Sequence, residues 1–373
     1  MWFIGNKNTV VVHLLMLALW MLQSCNCTVE KSDRNLRIVK DMLGREVKIP
    51  VDLQRVVALN AGTLRLITWL DAIGYICAVE GNEKQRHVPY LYAHPELREK
   101  PVIGTGNNYE PELLAALAPD AIFSTYITAS EADKLQQRTG IPVLAVQYGN
   151  FDDEIDTVYS ALKFLGKLLH RQDRADSVIL FIKSTIRDLK SRTDTIPHEQ
   201  QPEAYIGGIA YRGSHGITST EPRYPSFRFV NAENVAGSLG AVMTSPRDMM
   251  LNAFIDKEQL IEWNPAYIFV DMGSLFSLDS DMLAEPWLET LRAFRQGKVY
   301  SVFPYNWYTT NYSTILVNSY FIGKILYPEA FADIDPAEKA DEIYEFILGA
   351  PIYAMMVERY GACRNLTETQ QDE

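Results

Sequence analysis

The stretches ELLAALAPDAIF (residues 112–123) and EQLIEWNPAYIF (residues 258–269) align without a gap, and their glutamate, leucine, proline, isoleucine and phenylalanine fall in one register. Each copy reads as a short helical pattern, a proline that cannot continue the helix, and an apolar run suited to a buried strand. Around the first copy, Arg55–Leu59, Tyr75–Val79, Val102–Gly104, Ala121–Thr125 and Val143–Val146 read as short strands. Helical patterns at Pro111–Leu117 and Ala129–Thr139 lie between them. Around the second, Ala204–Ala210, Ala241–Thr244, Tyr267–Asp271 and Val299–Phe303 repeat the plan. Strands that alternate with helices predict parallel sheets, so the chain is expected to be α/β, with two similar α/β lobes.

The segment between the copies differs. Residues 151–192 contain no strand-like run, and Val178, Phe181, Ile182, Ile186 and Leu189 place one apolar stripe on a helix. A helix over Gln172–Arg192 would be roughly 30 Å long. Periodicity alone leaves it open whether this helix is a rigid strut between lobes or an ordinary packed helix. Ahead of the first lobe, the segment Asp41–Pro50, with Gly44 and Arg45 near its middle, alternates and turns like a hairpin.

At the N-terminus Lys7 precedes an apolar run, Val10–Leu22, broken only by His13 and ending at Leu22-Gln23-Ser24-Cys25. The run is shorter than the roughly 20 residues a bilayer span needs and has the order of a secretory signal. The tetrapeptide resembles the bacterial lipobox, which implies cleavage before Cys25 and lipidation of its thiol. The expected organisation is a signal over 1–24, a polar tether over 25–37, a first lobe over 38–150, a connecting helical segment over 151–193, a second lobe over 194–350 and a tail over 351–373.

Composition weighs against several classes, of which a bare metal-ion-binding protein of an importer and, behind it, a metallocluster enzyme remain as rivals. A formal charge of −12 disfavours nucleic acid, which needs a basic face. Four cysteines, Cys25, Cys27, Cys77 and Cys363, give neither a disulfide framework nor a metal motif. Six histidines with no pair at ligand spacing argue against a bare zinc- or manganese-binding protein. Too few cysteines remain for a metallocluster enzyme.

Taken together, the hairpin around Gly44-Arg45, the run Arg55-Val56-Val57-Ala58-Leu59, the two Glu-x-Leu…Pro…Ile-Phe segments and the long central helix resemble the iron-siderophore, haem and cobalamin group of ABC-transporter substrate-binding proteins. The resemblance runs from about residue 38 to residue 350. It implies two lobes joined by one long helix, a ligand cleft between the lobes, little hinge closure and no catalysis. The implied ligand is a metal chelate (a ferric siderophore, haem or a corrinoid), and the implied partners are a permease and its ATPase. It also implies export and a lipid anchor in the bacterial cell envelope. A glutamate on each lobe, at Glu112 and Glu258, would meet permease arginines, although acidic residues in a first helical turn also complement the helix dipole.

Residues 210–229, AYRGSHGITSTEPRYPSFRF, pose the main question about the site. Ser214 and His215 are adjacent, so in an extended loop they point apart, and no nucleophile elbow surrounds the serine. A surface turn and a ligand-gripping loop at a strand end both remain. On the second reading Arg212 offers a planar fork to anionic oxygens, with Tyr211 and His215 beside it. Tyr305, Trp307 and Tyr308 form an aromatic group after the Val299–Phe303 run, suited to a flat, partly polar ligand. From the first lobe, Asn60 and Tyr126 follow strand ends and complete the expected ligand set. Asn60 and Thr63 also fit a helix cap and a first-turn residue.

Overall fold

The computed structural model describes residues 35–105, 108–210, 213, 215–241, 253–277, 283 and 285–368. Strands β1 (Leu36–Lys40) and β2 (Glu46–Pro50) form the expected antiparallel hairpin. Its turn is held by Asp41, whose Oδ1 accepts from the amides of Leu43 and Arg45 at 3.0 and 2.9 Å. Gly44 supplies the positive φ of 84° that the turn requires.

Two four-stranded parallel sheets follow. The first contains β3 (Val56–Leu59), β4 (Ile76–Ala78), β5 (Ala121–Ser124) and β6 (Val143–Ala145), in the spatial order β4-β3-β5-β6. In the second half of the chain come β7 (Glu203–Gly207), β8 (Ser219–Thr220), β9 (Glu233–Asn234), β10 (Ala253–Phe254), β11 (Tyr267–Asp271) and β12 (Val299–Val302). Of these, β12-β11-β7-β9 make the second sheet, and β8 pairs antiparallel with β10. Numbered within its own half, each sheet has the order second, first, third, fourth.

The sequence repeat is realised in three dimensions. The helices Pro111–Leu117 and Lys257–Trp263 both end on a left-handed residue, Ala118 (φ 45°) and Asn264 (φ 43°). The prolines follow, and each copy then enters a central strand. Leu114 and Leu260 are fully buried. Ile122 and Ile268 face the outer clusters of their lobes, while Phe123 and Phe269 face the central core. The alternation of β strands sorts side chains in this way.

Two expected strands differ. Val102–Gly104 makes only an isolated bridge from Val102 to Val79, because the Ile103 carbonyl then accepts from the Glu110 amide at 2.7 Å and the chain leaves the ladder. Ala241 closes a 3-10 turn over Gly237–Ala241, and residues 242–244 lie outside the described residues.

The long helix spans Gln172–Ser191 and buries Ala175, Val178, Ile179, Ile182 and Leu189. Phe181 and Ile186 are only partly buried. It packs on the helices Ile155–Leu168 and Tyr312–Leu326. It lies between the two lobes in the chain and is packed along its length. One continuous apolar core includes side chains from both sheets and from these helices. Such a shared core resists hinge motion more than a bare linker would.

Candidate functional site

Segments leaving the carboxyl ends of the two sheets meet directly. After β3 the chain turns through Asn60 (φ 64°) and Gly62 (φ 95°) into the helix Thr63–Trp69. Asn60 is not the cap of this helix. Its Nδ2 donates to Ser124 Oγ and the Thr125 carbonyl, both at 2.8 Å, which ties the ends of β3 and β5 together. Thr63 is the first helical residue, and its hydroxyl donates to the Leu59 carbonyl at 2.6 Å.

Arg65, on the first turns of this helix, is buried at 2% exposure. Its guanidinium donates to the Tyr148 hydroxyl, to the Thr310 carbonyl at 2.8 Å and to the Tyr308 carbonyl at 3.2 Å. The last two acceptors belong to the loop after β12, so a first-lobe cation holds a second-lobe loop. Tyr148 adds a bond to the same Thr310 carbonyl at 2.7 Å. Within the loop, Tyr308 and Thr309 are consecutive left-handed residues (φ 52° and 59°). That conformation costs roughly 1–2 kcal/mol for each non-glycine residue. Asn311 helps to fix it, its Nδ2 donating to the carbonyls of Tyr305 and Trp307 at 3.0 and 3.1 Å.

Two further contacts cross between the lobes. The hydroxyls of Tyr126 and Thr309 lie 2.8 Å apart. Tyr308 donates from its hydroxyl to Glu80, after β4, at 3.0 Å. Burial pushes the Glu80 carboxyl up to about 7, and the bond from Tyr308 opposes the shift.

Beside these contacts lies a cavity of about 260 Å3. Arg86 and His87 line it from the first lobe, and Gly273, Trp307, Arg359 and Tyr360 line it from the second. Arg86 pairs with Glu83, which also accepts from the Tyr90 hydroxyl at 2.6 Å. Burial first, and then Arg359 and Arg98, push His87 below its usual range. Behind the Gly273 edge, Glu221 and Asp271 are fully buried, and Asp271 accepts from the Gly273 amide at 2.8 Å. Burial raises both carboxyls well above the ordinary range, and Asp271 adds to the effect on Glu221.

The predicted ligand set is therefore only partly assembled. Trp307 lines the cavity, while Tyr126 and Tyr308 form the contacts that close the lobes beside it. Tyr305 is a correction: it is 2% exposed and packs on Tyr224 in the core, so it does not face the cleft. The chain beyond β12 runs on through the interior, where Phe303, Pro304 and Tyr305 are all buried. Ring to ring, His215 stands edge-on to Phe254 at 4.8 Å, and its amide donates to Ser274 Oγ at 3.1 Å. Tyr211, Arg212, Ser214 and Cys25 lie outside the described residues. Glu112 and Glu258 are exposed in the first turns of equivalent helices. Arg65, Arg86 and Arg359 went unread in the sequence. Arg359 sits on a helix, Tyr353–Tyr360, inside the stretch expected to be a tail.

A model for the periplasmic binding protein family matches residues 56–305. The chain belongs to that family. A substrate-binding role follows from the membership. Among relatives, the molybdate-binding protein MolA of Haemophilus influenzae is 24% identical over 330 residues, covering 83% of this chain and 90% of that protein. The solved structure of MolA bound to molybdate superposes with a TM-score of 0.65 at 23% identity, covering 84% of this chain and 98% of that one. A periplasmic solute-binding protein from Veillonella parvula gives 0.66 at 15% identity, with 87% and 97% covered. These two structural likenesses concern the fold. No helix among the described residues is long and apolar enough to cross a membrane.

Proposed function

We propose that this family member serves an ABC importer and that its ligand is a compact anion, of the size and charge of a tetrahedral oxyanion such as molybdate. One observation carries the reading: the lobes touch at Tyr126–Thr309, Glu80–Tyr308 and Arg65, leaving a cavity of about 260 Å3 between Arg86 and Arg359. Sites for drug-sized ligands run from roughly 300 to 1,000 Å3. A haem or corrinoid would have to break the lobe contacts, whereas a small oxyanion fits beside them. The relation to a protein named for molybdate binding agrees with this. The bulkier chelates stay in view because Tyr126 and Trp307 offer aromatic surface at the cleft.

Calorimetric titration of the mature chain with molybdate, tungstate and sulfate, alongside a ferric hydroxamate, haem and cyanocobalamin, separates the readings. Arg359→Ala should weaken oxyanion binding by about 1.5–3 kcal/mol, the strength of a charge-assisted hydrogen bond, or roughly ten- to hundredfold. Binding of a chelate with no response to any oxyanion would overturn the proposal. A lipid on Cys25 is the second part of this reading, motivated by Leu22-Gln23-Ser24-Cys25. Cell fractionation of Cys25→Ala should move the protein off the membrane, and unchanged sedimentation with membranes would remove the anchor.

A further inference from the structure

The long helix carries Lys183, Arg187 and Lys190 at positions i, i+4 and i+7, hence on one face. All three are exposed, and none forms an ion pair among the described residues. They border a groove of about 460 Å3 that lies apart from the cleft cavity. Its floor is apolar: Phe151, Tyr159 and Phe229 are buried there, with Ile155 and Ile186 half-buried. Lys183 Nζ lies 4.8 Å above the Tyr159 ring.

Two acidic residues also line this groove, Asp152 in ion pairs and Asp194 in a hydrogen bond. Asp152 pairs with Arg223 at 2.6 Å and with Arg228. Asp194 accepts from Asn231 Nδ2 at 3.2 Å. In a chain of net charge −12, three cations without ion-pair partners among the described residues stand together above an apolar floor. We propose that this groove is a second ligand site, for a single small amphiphile with an acidic head, carboxylate or phosphate. The head would meet the cationic stripe and the apolar body would lie on Phe151 and Phe229. The volume falls in the range of small-molecule sites. A concave floor suits one molecule better than a flat bilayer surface.

Position gives the site a consequence. The groove is built from the segment after β6, the long helix and the helix Pro225–Phe229, so its occupant touches the connecting segment and the second lobe. Phe151 stacks on Tyr312 at 4.4 Å, and Tyr312 stacks on Tyr148 at 4.9 Å. Tyr148 bonds to Arg65 and to Thr310 of the cleft loop. A bound amphiphile therefore presses on the stack that supports the cleft.

The test is calorimetry on the mature chain with octanoate and octyl phosphate as probes and octanol as the uncharged control. Both acids should bind saturably, one per chain, and octanol at least about tenfold more weakly. The charge reversal Lys183→Glu, Arg187→Glu, Lys190→Glu, at exposed positions and checked for folding by circular dichroism, should weaken the acids by more than about tenfold. Raising salt to about 0.5 M should weaken them in the wild type. Arg359→Ala should bind them unchanged, and a loss there would assign the acids to the cleft and overturn the proposal. Equal binding of octanol and octanoate, indifference to the charge reversal, or binding only to vesicles of anionic phospholipid would each overturn it too.

Discussion

Replacing Arg65 with methionine removes a buried cation while keeping most of the side-chain stem. Three bonds disappear, to the Tyr148 hydroxyl and to the carbonyls of Tyr308 and Thr310. Charge-assisted bonds contribute about 1.5–3 kcal/mol each, so the gross loss is roughly 5–9 kcal/mol. Against it stands the relief of burying a charge, several kcal/mol in effect. The Thr310 carbonyl retains the Tyr148 hydroxyl, which leaves the Tyr308 carbonyl as the main orphan. Orphaning a buried acceptor costs about 1–3 kcal/mol. The net expectation is a destabilisation of about 3–5 kcal/mol, as when one partner of a buried polar pair is deleted. It should be concentrated at the cleft, because the strained Tyr308-Thr309 turn loses its support. Guanidinium unfolding followed by circular dichroism gives the global change, and hydrogen exchange at residues 306–311 gives the local one. A change under about 1 kcal/mol, with loop protection unaltered, would refute the claim that Arg65 holds the lobes together.

Three other expectations concern proton, backbone and partner. Glu80 has its carboxyl raised from 4.5 to about 7, so its ionisation favours the unfolded chain: stability should fall as pH rises from about 4.5 to 7 and level off above. The Glu80 share amounts to about 3 kcal/mol in total, and the pH dependence should shrink by that amount in Glu80→Gln, as denaturation midpoints across that pH range would reveal, while Glu221 and Asp271 go on contributing in the same direction. Gly62→Ala should destabilise by about 1–3 kcal/mol or more, since φ is 95° and the added carbon would collide with the Tyr148 ring. The double change Glu112→Ala, Glu258→Ala should leave folding and ligand affinity intact and impair uptake by the reconstituted importer. Normal uptake would reduce both to helix-start chemistry, and lost ligand binding would mean that the cleft lies on another face.

How legible the fold was follows from where its information lies. The helix-proline-strand repeat is local, so Pro111–Leu117, Ala129–Thr139 and the central strands could be read from periodicity, and the shared strand order follows from repeating one plan. Left-handed endings at Ala118 and Asn264 leave little mark in composition, since alanine is not a usual choice there. The site was less legible because several of its bonds run to backbone carbonyls. Arg65 lies in Thr63-Leu-Arg-Leu-Ile-Thr-Trp69, where an arginine reads as the exposed face of a helix, yet all seven residues are buried. Two of its three acceptors are peptide oxygens on a distant loop, which no residue type announces. Tyr305 misled in the opposite sense: an aromatic in a polar loop reads as ligand contact, and it fills the core.

The bond from Arg65 to Thr310 joins residues 245 positions apart. At roughly 5–20 residues per second of synthesis, the cation would wait roughly 12 to 50 s for that acceptor to be made. Until then a nascent first lobe that closed its core would trap an arginine with only Tyr148 to receive it. Loop-closure entropy has to be paid before that distant contact rewards it. The first sheet is thus poorly suited to finish early, and final consolidation of this half of the molecule depends on the arrival of the other. A chain that delays its own completion stays unfolded longer, the condition in which a polypeptide can be threaded across a membrane.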